Sequence, residues 1–290
     1  MDDDGLTAAL THLMDDSRRA WRAMDAGASE QEVTAMYESV TETLPVGVDL
    51  FTVHRLRLAE TDAPQMSPED QAARDRVWDK AVQANPSLFD GPAVAVSGLE
   101  WEGPHNLILS WARVTYRHYA LRQVPGATTW LPSLFVNAVQ PTADGRVLVA
   151  RMSSSTAAPG RWQLPGGSAE PPEDHEVLDE AALRRHAARE LAEETGLDTA
   201  SEDLTLWAVT RGEHGSIGLT FLAPSRPASV LLERFAALVA TEQALGRDPE
   251  LDQIALVRSP AELADLDGPH VDYLEPIVRR YTEALLRRDA

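Results

Sequence analysis

The 290-residue chain contains no cysteine, so neither a disulfide framework nor a thiolate-held metal is available to it. Lysine is almost missing too: Lys80 is the only one, and arginine carries the rest of the positive charge. Positive charge of either kind is scarce, with 26 Lys and Arg against 46 Asp and Glu and a net charge of −20. That balance argues against sequence-independent binding to nucleic acid or to an anionic membrane, both of which rest on basic patches. No apolar run approaches the ~20 residues of a membrane span. The start, Met1-Asp2-Asp3-Asp4-Gly5, is acidic where a secretory signal would be basic. A soluble cytoplasmic protein is expected, and its 43% apolar residues suffice for a sizeable core.

What is present is concentrated in Arg189-Glu190-Leu191-Ala192-Glu193-Glu194-Thr195-Gly196-Leu197. At about 3.6 residues per turn, Glu190, Glu193 and Glu194 fall within an arc of roughly 100° of one helix. Three carboxylates aimed at one small volume suit a hard, oxygen-ligated cation such as Mg²⁺ or Mn²⁺. Glutamate-rich helices are commonly just solvated faces. This one is distinguished by its upstream neighbour, Trp162-Gln163-Leu164-Pro165-Gly166-Gly167, a short apolar run broken by a glycine turn that can present backbone groups at a helix entrance.

Pro-Gly-Gly followed by Arg-Glu-Leu-x-Glu-Glu-x-Gly-Leu resembles the Nudix box, the signature of Nudix hydrolases. By position, the resemblance implies that Glu190, Glu193 and Glu194 hold divalent metal, that the carbonyl of Gly167 adds a ligand, and that Arg189 orients the glutamates. Arg189 and Glu193 have the i,i+4 spacing of a same-face pair. The box is atypical on its entrance side. Its glycine usually precedes the arginine by fourteen residues; here Gly167 and Arg189 are twenty-two apart, with a Pro-rich acidic insert around residues 170–176. The first box glutamate falls on Ala181, with Glu180 one place out of register.

Residues 1–45 read as an acidic helical hairpin, with apolar positions from Leu6 to Met24 at helical spacing and a capping-box start at Ser29; it is expected to serve dimerisation or packing. Residues 46–128 read as an α+β segment: a strand within 48–58, a helix opened by Ser67-Pro68 and running to about Gln83, then strands at 93–96 and 106–114. Residues 129–290 read as the catalytic module. Its expected strands are 133–139, 146–151, 204–210, 217–222 and 254–257, and its helices are the box helix, 235–244 and 273–286. The family resemblance implies an α/β/α sandwich with a mixed sheet. Asn85-Pro86-Ser87-Leu88-Phe89-Asp90-Gly91, some eighty residues before the box, resembles the UDP-sugar-hydrolysing Nudix branch.

The resemblance implies metal-dependent hydrolysis of a nucleoside diphosphate linked to another moiety, foremost a nucleotide sugar, giving a nucleoside monophosphate and a sugar phosphate. Another diphosphate (a dinucleotide, a nucleoside triphosphate or an isoprenoid diphosphate) is the alternative within enzymes. A nucleotide-sensing Nudix-fold protein without activity is the alternative outside them, disfavoured by the intact glutamates. In this family a later loop can supply the general base, for which Glu213 and Glu250 are candidates. Arg113, Arg151 and Arg161 are phosphate-clamp candidates by charge and location. Trp162 and Trp207 are candidates for stacking on a base, although strand tryptophans usually serve the core. His175 and His214 lie near the box, where glutamate ligation leaves them no required role.

Overall fold

A computed structural model describes residues 47–173, 175–212 and 214–288. The expected hairpin at residues 6–43, and with it the dimerisation it suggested, lies outside the described residues, as does Glu213. Val48 onward forms one compact unit, so the segment before residue 129 and the expected catalytic module share it.

The elements run β1 (Asp49–Phe51), β2 (Arg55–Glu60), α1 (Pro68–Ala84), β3 (Pro92–Trp101), β4 (Asn106–Thr115), a 3₁₀ helix (Tyr116–Gln123), β5 (Leu134–Val139), β6 (Val147–Met152), β7 (Trp162–Gln163) and β8 (Gly166–Ser168). There follow α2 (Glu180–Thr195), β9 (Thr205–Arg211), β10 (Ile217–Leu222), α3 (Ala228–Ala244), β11 (Leu251–Val257), α4 (Pro260–Ala264) and α5 (Leu274–Arg288).

Three sheets result. The first, β1-β9-β10-β5-β8, is mixed: β10 and β5 run parallel and the other pairs antiparallel. The second, β11-β6-β7, is antiparallel, and the third, β2-β4-β3, joins a parallel to an antiparallel pair. Alternation along the central strands sends side chains to opposite faces. Val136 and Ala138 of β5 and Leu148 and Ala150 of β6 join one core with Leu183 and Leu191 of α2 and Leu231 of α3. Val139, Val147 and Val149 join a second core with Leu263 of α4 and Leu274, Ile277 and Val278 of α5. Sheets between two helical layers make the α/β/α sandwich that the sequence led us to expect. No helix among the described residues is long and apolar enough to cross a membrane.

The segment before residue 129 is built into this core. β1 adds an edge strand to the first sheet, and Val94, Leu107, Leu109 and Trp111 pack into the same cluster as α2. Val94 N–H donates to the Ala169 carbonyl and Val96 N–H to that of Pro132, stitching β3 to the module.

Several expected elements differ in extent: the strands expected at 93–96 and 254–257 run longer, as Pro92–Trp101 and Leu251–Val257. The strand expected within 48–58 is broken at 52–54 because the chain changes sheets there: β1 pairs with β9 and β2 with β4. The helix expected from Phe235 begins seven residues earlier at Ala228, where Leu231 and Phe235 form a buried i,i+4 pair. The five-residue α4 is too short for apolar periodicity. It shows instead as a capping exchange, with Ser259 Oγ accepting from Glu262 N–H at 3.3 Å and Glu262 Oε2 accepting from Arg258 N–H at 2.8 Å.

Leu191, 0% exposed, anchors the box helix, whereas Leu232 is 49% exposed. Leu191→Ala is expected to cost about 2–5 kcal/mol of stability, the range for buried leucines. Leu232→Ala should stay within about 0.5 kcal/mol. Urea unfolding of the two variants measures both.

Candidate active site

The site is assembled where β8 meets α2. Asp179 caps the helix, its Oδ1 accepting from Ala182 N–H at 2.7 Å, and Gly196 ends it in the left-handed region at φ 72°. Leu183, Ala187 and Leu191 hold the inner face in the core. The helix is thus fixed at both ends and along one side, so the carboxylates project from a rigid support.

The two glycines of the turn do different work. Gly166 has φ 154°, and a Cβ there would stand 2.1 Å from the Val136 carbonyl oxygen, so only glycine brings β8 this close to β5. Its N–H donates to Glu194 Oε2 at 2.7 Å. Gly167 backs directly on Glu190: an added Cβ would lie 2.8 Å from the Glu190 carboxyl carbon and about as near both its oxygens.

Of the acidic groups of the box, Glu190 and Glu194 are the two that meet these glycines. Glu194 is 4% exposed, and its Oε1 has no hydrogen-bond partner. Burial pushes its carboxyl well above the ordinary value of 4.5, the charges of Glu250 and Glu190 push the same way, and only the Gly166 N–H opposes them. Glu250 lies just before β11. Burial, then the charges of Glu190 and Glu193, raise its carboxyl as well, although its side chain still reaches solvent. Glu190 accepts a hydrogen bond from His186 Nε2, 2.7 Å from Oε1. Arg189 stands among the acids, 3.8 Å from Glu190, 3.9 Å from Glu193 and 3.5 Å from Glu170.

Two of these contacts were not foreseen. His186 sits one helical turn before Glu190, so the i,i+4 spacing was a signal available in the sequence. Glu170 comes from the insert. Glu180, the near-register substitute for the missing box glutamate, pairs with Arg184 at 2.7 Å, while Glu170 supplies the acid beside Arg189.

A cavity of about 870 Å³ opens onto the turn, lined there by Gly166, Gly167 and Glu250. Of the arginine candidates, Arg161 alone lines it. Its Nη2 donates to the His270 carbonyl at 3.1 Å, and its buried Nε has no partner. Arg113 lies elsewhere, bonded to Glu60 at 2.7 Å and to the Pro172 carbonyl at 2.8 Å, and Arg151 pairs with Asp252 at 2.8 Å. Trp162 is 1% exposed, with Nε1 donating to the Asp267 carbonyl. Its ring is enclosed in the core beside α5, so the expected stacking on a base is corrected to a packing role. Trp207 packs on the same side, its ring 6.4 Å from that of Tyr281.

Among the described residues, no three acidic or histidine side chains are drawn to one point as they would be around a bound ion. Glu193 is 64% exposed, held only loosely by Arg189. The chemistry nevertheless fits a hard cation: several carboxylates, a buried carboxylate oxygen with nothing bonded to it, and neighbouring glutamate charges that raise the proton affinity of Glu194 and Glu250.

The NUDIX domain model matches residues 135–281. The chain therefore belongs to the Nudix family of pyrophosphatase hydrolases, and the match falls within the expected module of residues 129–290. Among solved structures it is similar to the MutT protein of Methanosarcina mazei Go1 (22% identity over 55% of this chain and 96% of that one, TM-score 0.34). It is similar also to a NUDIX hydrolase of Nitrosomonas europaea (18% identity, 53% and 89%, TM-score 0.32). A third is the NUDIX domain of Shewanella oneidensis NrtR complexed with ADP ribose (17% identity, 53% and 88%, TM-score 0.34). Comparison with curated proteins finds no match.

The raised carboxyls make the metal-free protein sensitive to alkali. Between the ordinary value of 4.5 and its higher folded value, Glu194 binds more proton when folded than when unfolded, so stability falls as pH rises through that interval. The metal-free melting temperature should therefore drop from pH 5 to pH 8, and added Mg²⁺ should raise it more at pH 8 than at pH 5. A melting temperature independent of both would contradict this account of the cluster.

Proposed function

We propose that the protein hydrolyses a nucleoside diphosphate linked to another moiety, foremost a nucleotide sugar, to a nucleoside monophosphate and a sugar phosphate, with Mg²⁺ or Mn²⁺ as cofactor. The observation that carries this reading is the meeting of Glu190 and Glu194 with the Gly166-Gly167 turn on a cavity that Glu250 also lines. Glu190, Glu193, Glu194 and the Gly167 carbonyl are the proposed ligands. A divalent cation there supplies neutralisation of phosphate charge and activation of water.

The chain's own groups supply the remaining requirements. Arg161, with no carboxylate partner among the described residues, is the arginine or lysine that lines the cavity and is placed to receive a phosphate oxygen. Glu250 belongs to a different element from the box, lines the same cavity and has a raised proton affinity, which suits it to accept a proton from the attacking water. Arg189 and His186 both approach Oε1 of the Glu190 carboxylate. Arg113 and Arg151, with carboxylate partners away from the cavity, are not assigned to substrate.

The test is turnover of a panel of UDP-, GDP-, ADP- and dTDP-sugars, dinucleotides, triphosphates and prenyl diphosphates with Mg²⁺. At least one nucleotide sugar should be cleaved, and no turnover of any compound would sink the proposal. Glu193→Gln and Glu194→Gln should each lower kcat by at least about 100-fold. Because Glu194→Gln removes a buried carboxyl that resists ionisation, the metal-free variant should melt no lower than wild type at pH 8. Loss of activity together with loss of fold would argue against a functional role for Glu194.

A further inference from the structure

The cavity is lined in part by residues that the hydrolytic chemistry does not use. Ser87, Leu88, Phe89 and Tyr116 line it, all from the chain before the family match at residue 135. Phe89 is 78% exposed, the most exposed of the large hydrophobic residues described. Exposure on a loose loop would mean little, but this segment is held at both ends. Asn85 Nδ2 donates to the Thr156 carbonyl at 2.8 Å and its Oδ1 accepts from Ser87 N–H at 3.1 Å. Asp90 accepts from Arg117 N–H at 2.8 Å and pairs with Arg117 Nε at 2.9 Å, while Tyr116 N–H donates to the Gly91 carbonyl at 2.9 Å.

The ring is also backed. A Cβ on Gly91 would stand 2.9 Å from Phe89 Cε1, so the glycine makes the room that the ring occupies. A phenyl ring set against a glycine and bare within a cavity can serve as a stacking platform. None of these four side chains is charged, so they offer a phosphate no charged partner. Aromatic stacking accepts any base, because every base has a π face.

We propose that Phe89 is a specificity-determining residue that stacks on the nucleobase of the substrate, placing the base against the lining residues of the N-terminal segment while the diphosphate lies at the box turn. The assignment rests on the function proposed above.

The experiment uses the full chain with Mg²⁺ and compares wild type, Phe89→Ala and Phe89→Trp on whichever nucleotide sugar is turned over. Phe89→Ala should raise KM by about 5- to 100-fold, leave kcat within about twofold, and weaken inhibition by the product nucleoside monophosphate in proportion. Inhibition by the sugar phosphate should not change, and Phe89→Trp should restore the KM. An unchanged KM in Phe89→Ala would overturn the assignment, including the case in which sedimentation shows that the variant has changed its oligomeric state. Weakened inhibition by the sugar phosphate in place of the nucleotide would overturn it too. If wild type cleaves none of these compounds, the function fails first. Calorimetric titration of wild type and Phe89→Ala with UMP, AMP and GMP then decides the stacking by itself: tighter binding to wild type supports it, and equal or no binding overturns it.

Discussion

The hydrogen bond from Gly166 N–H to Glu194 Oε2 joins the two halves of the signature across 28 residues of chain, and the rest of the site depends on it. It is short, at 2.7 Å, and it is the one interaction identified as favouring the charged form of a carboxylate that burial and three neighbouring glutamates all disfavour. The backbone at Gly166 admits no side chain, because the Val136 carbonyl already occupies the place a Cβ would take. The glycine, the strand pairing and the buried acid are therefore one constraint.

Burying like charges together costs stability unless something compensates for them. Partial compensation is visible in the chain: Arg189 beside Glu190 and Glu193, and His186 bonded to Glu190. Glu194 Oε1 is left with nothing. A fold under selection for stability alone would have no reason to keep that oxygen, whereas a fold that binds a cation would. The supports are correspondingly rigid, with a capped and core-anchored helix, a strand locked into the central sheet, and Glu250 at the start of β11, its carbonyl accepting from Ser153 N–H.

Much of this was legible in the sequence because it is local. Ser67-Pro68 marked the start of α1, Gly196 the end of α2, and the segments 133–139 and 146–151 the strands β5 and β6. Helical spacing put the three glutamates on one face, and the resemblance to the Nudix box gave Arg189 and Gly167 their expected roles. What escaped depends on contacts between distant segments. One of the three acidic partners of Arg189 comes from an insert of no regular period, so Glu170 could not be told from its acidic neighbours. Trp162 and Arg161 are adjacent in sequence, yet one is enclosed beside α5 and the other lines the cavity, a division set by how β7 meets the chain near residue 270. Arg113 and Arg151 looked equivalent to Arg161 until their carboxylate partners, 53 and 101 residues away, came into view. The i,i+4 spacing of His186 and Glu190 is present in the sequence, but such a spacing does not by itself distinguish a bonded pair from two solvated side chains.

We propose that the box carboxylates hold a divalent cation at the glycine turn. Anomalous scattering from crystals soaked in Mn²⁺ tests it most directly. The account predicts a peak within coordinating distance of Glu190, Glu193 and Glu194 and beside the Gly167 carbonyl, absent in Glu194→Gln. A peak elsewhere, or one that persists unchanged in that variant, would contradict it.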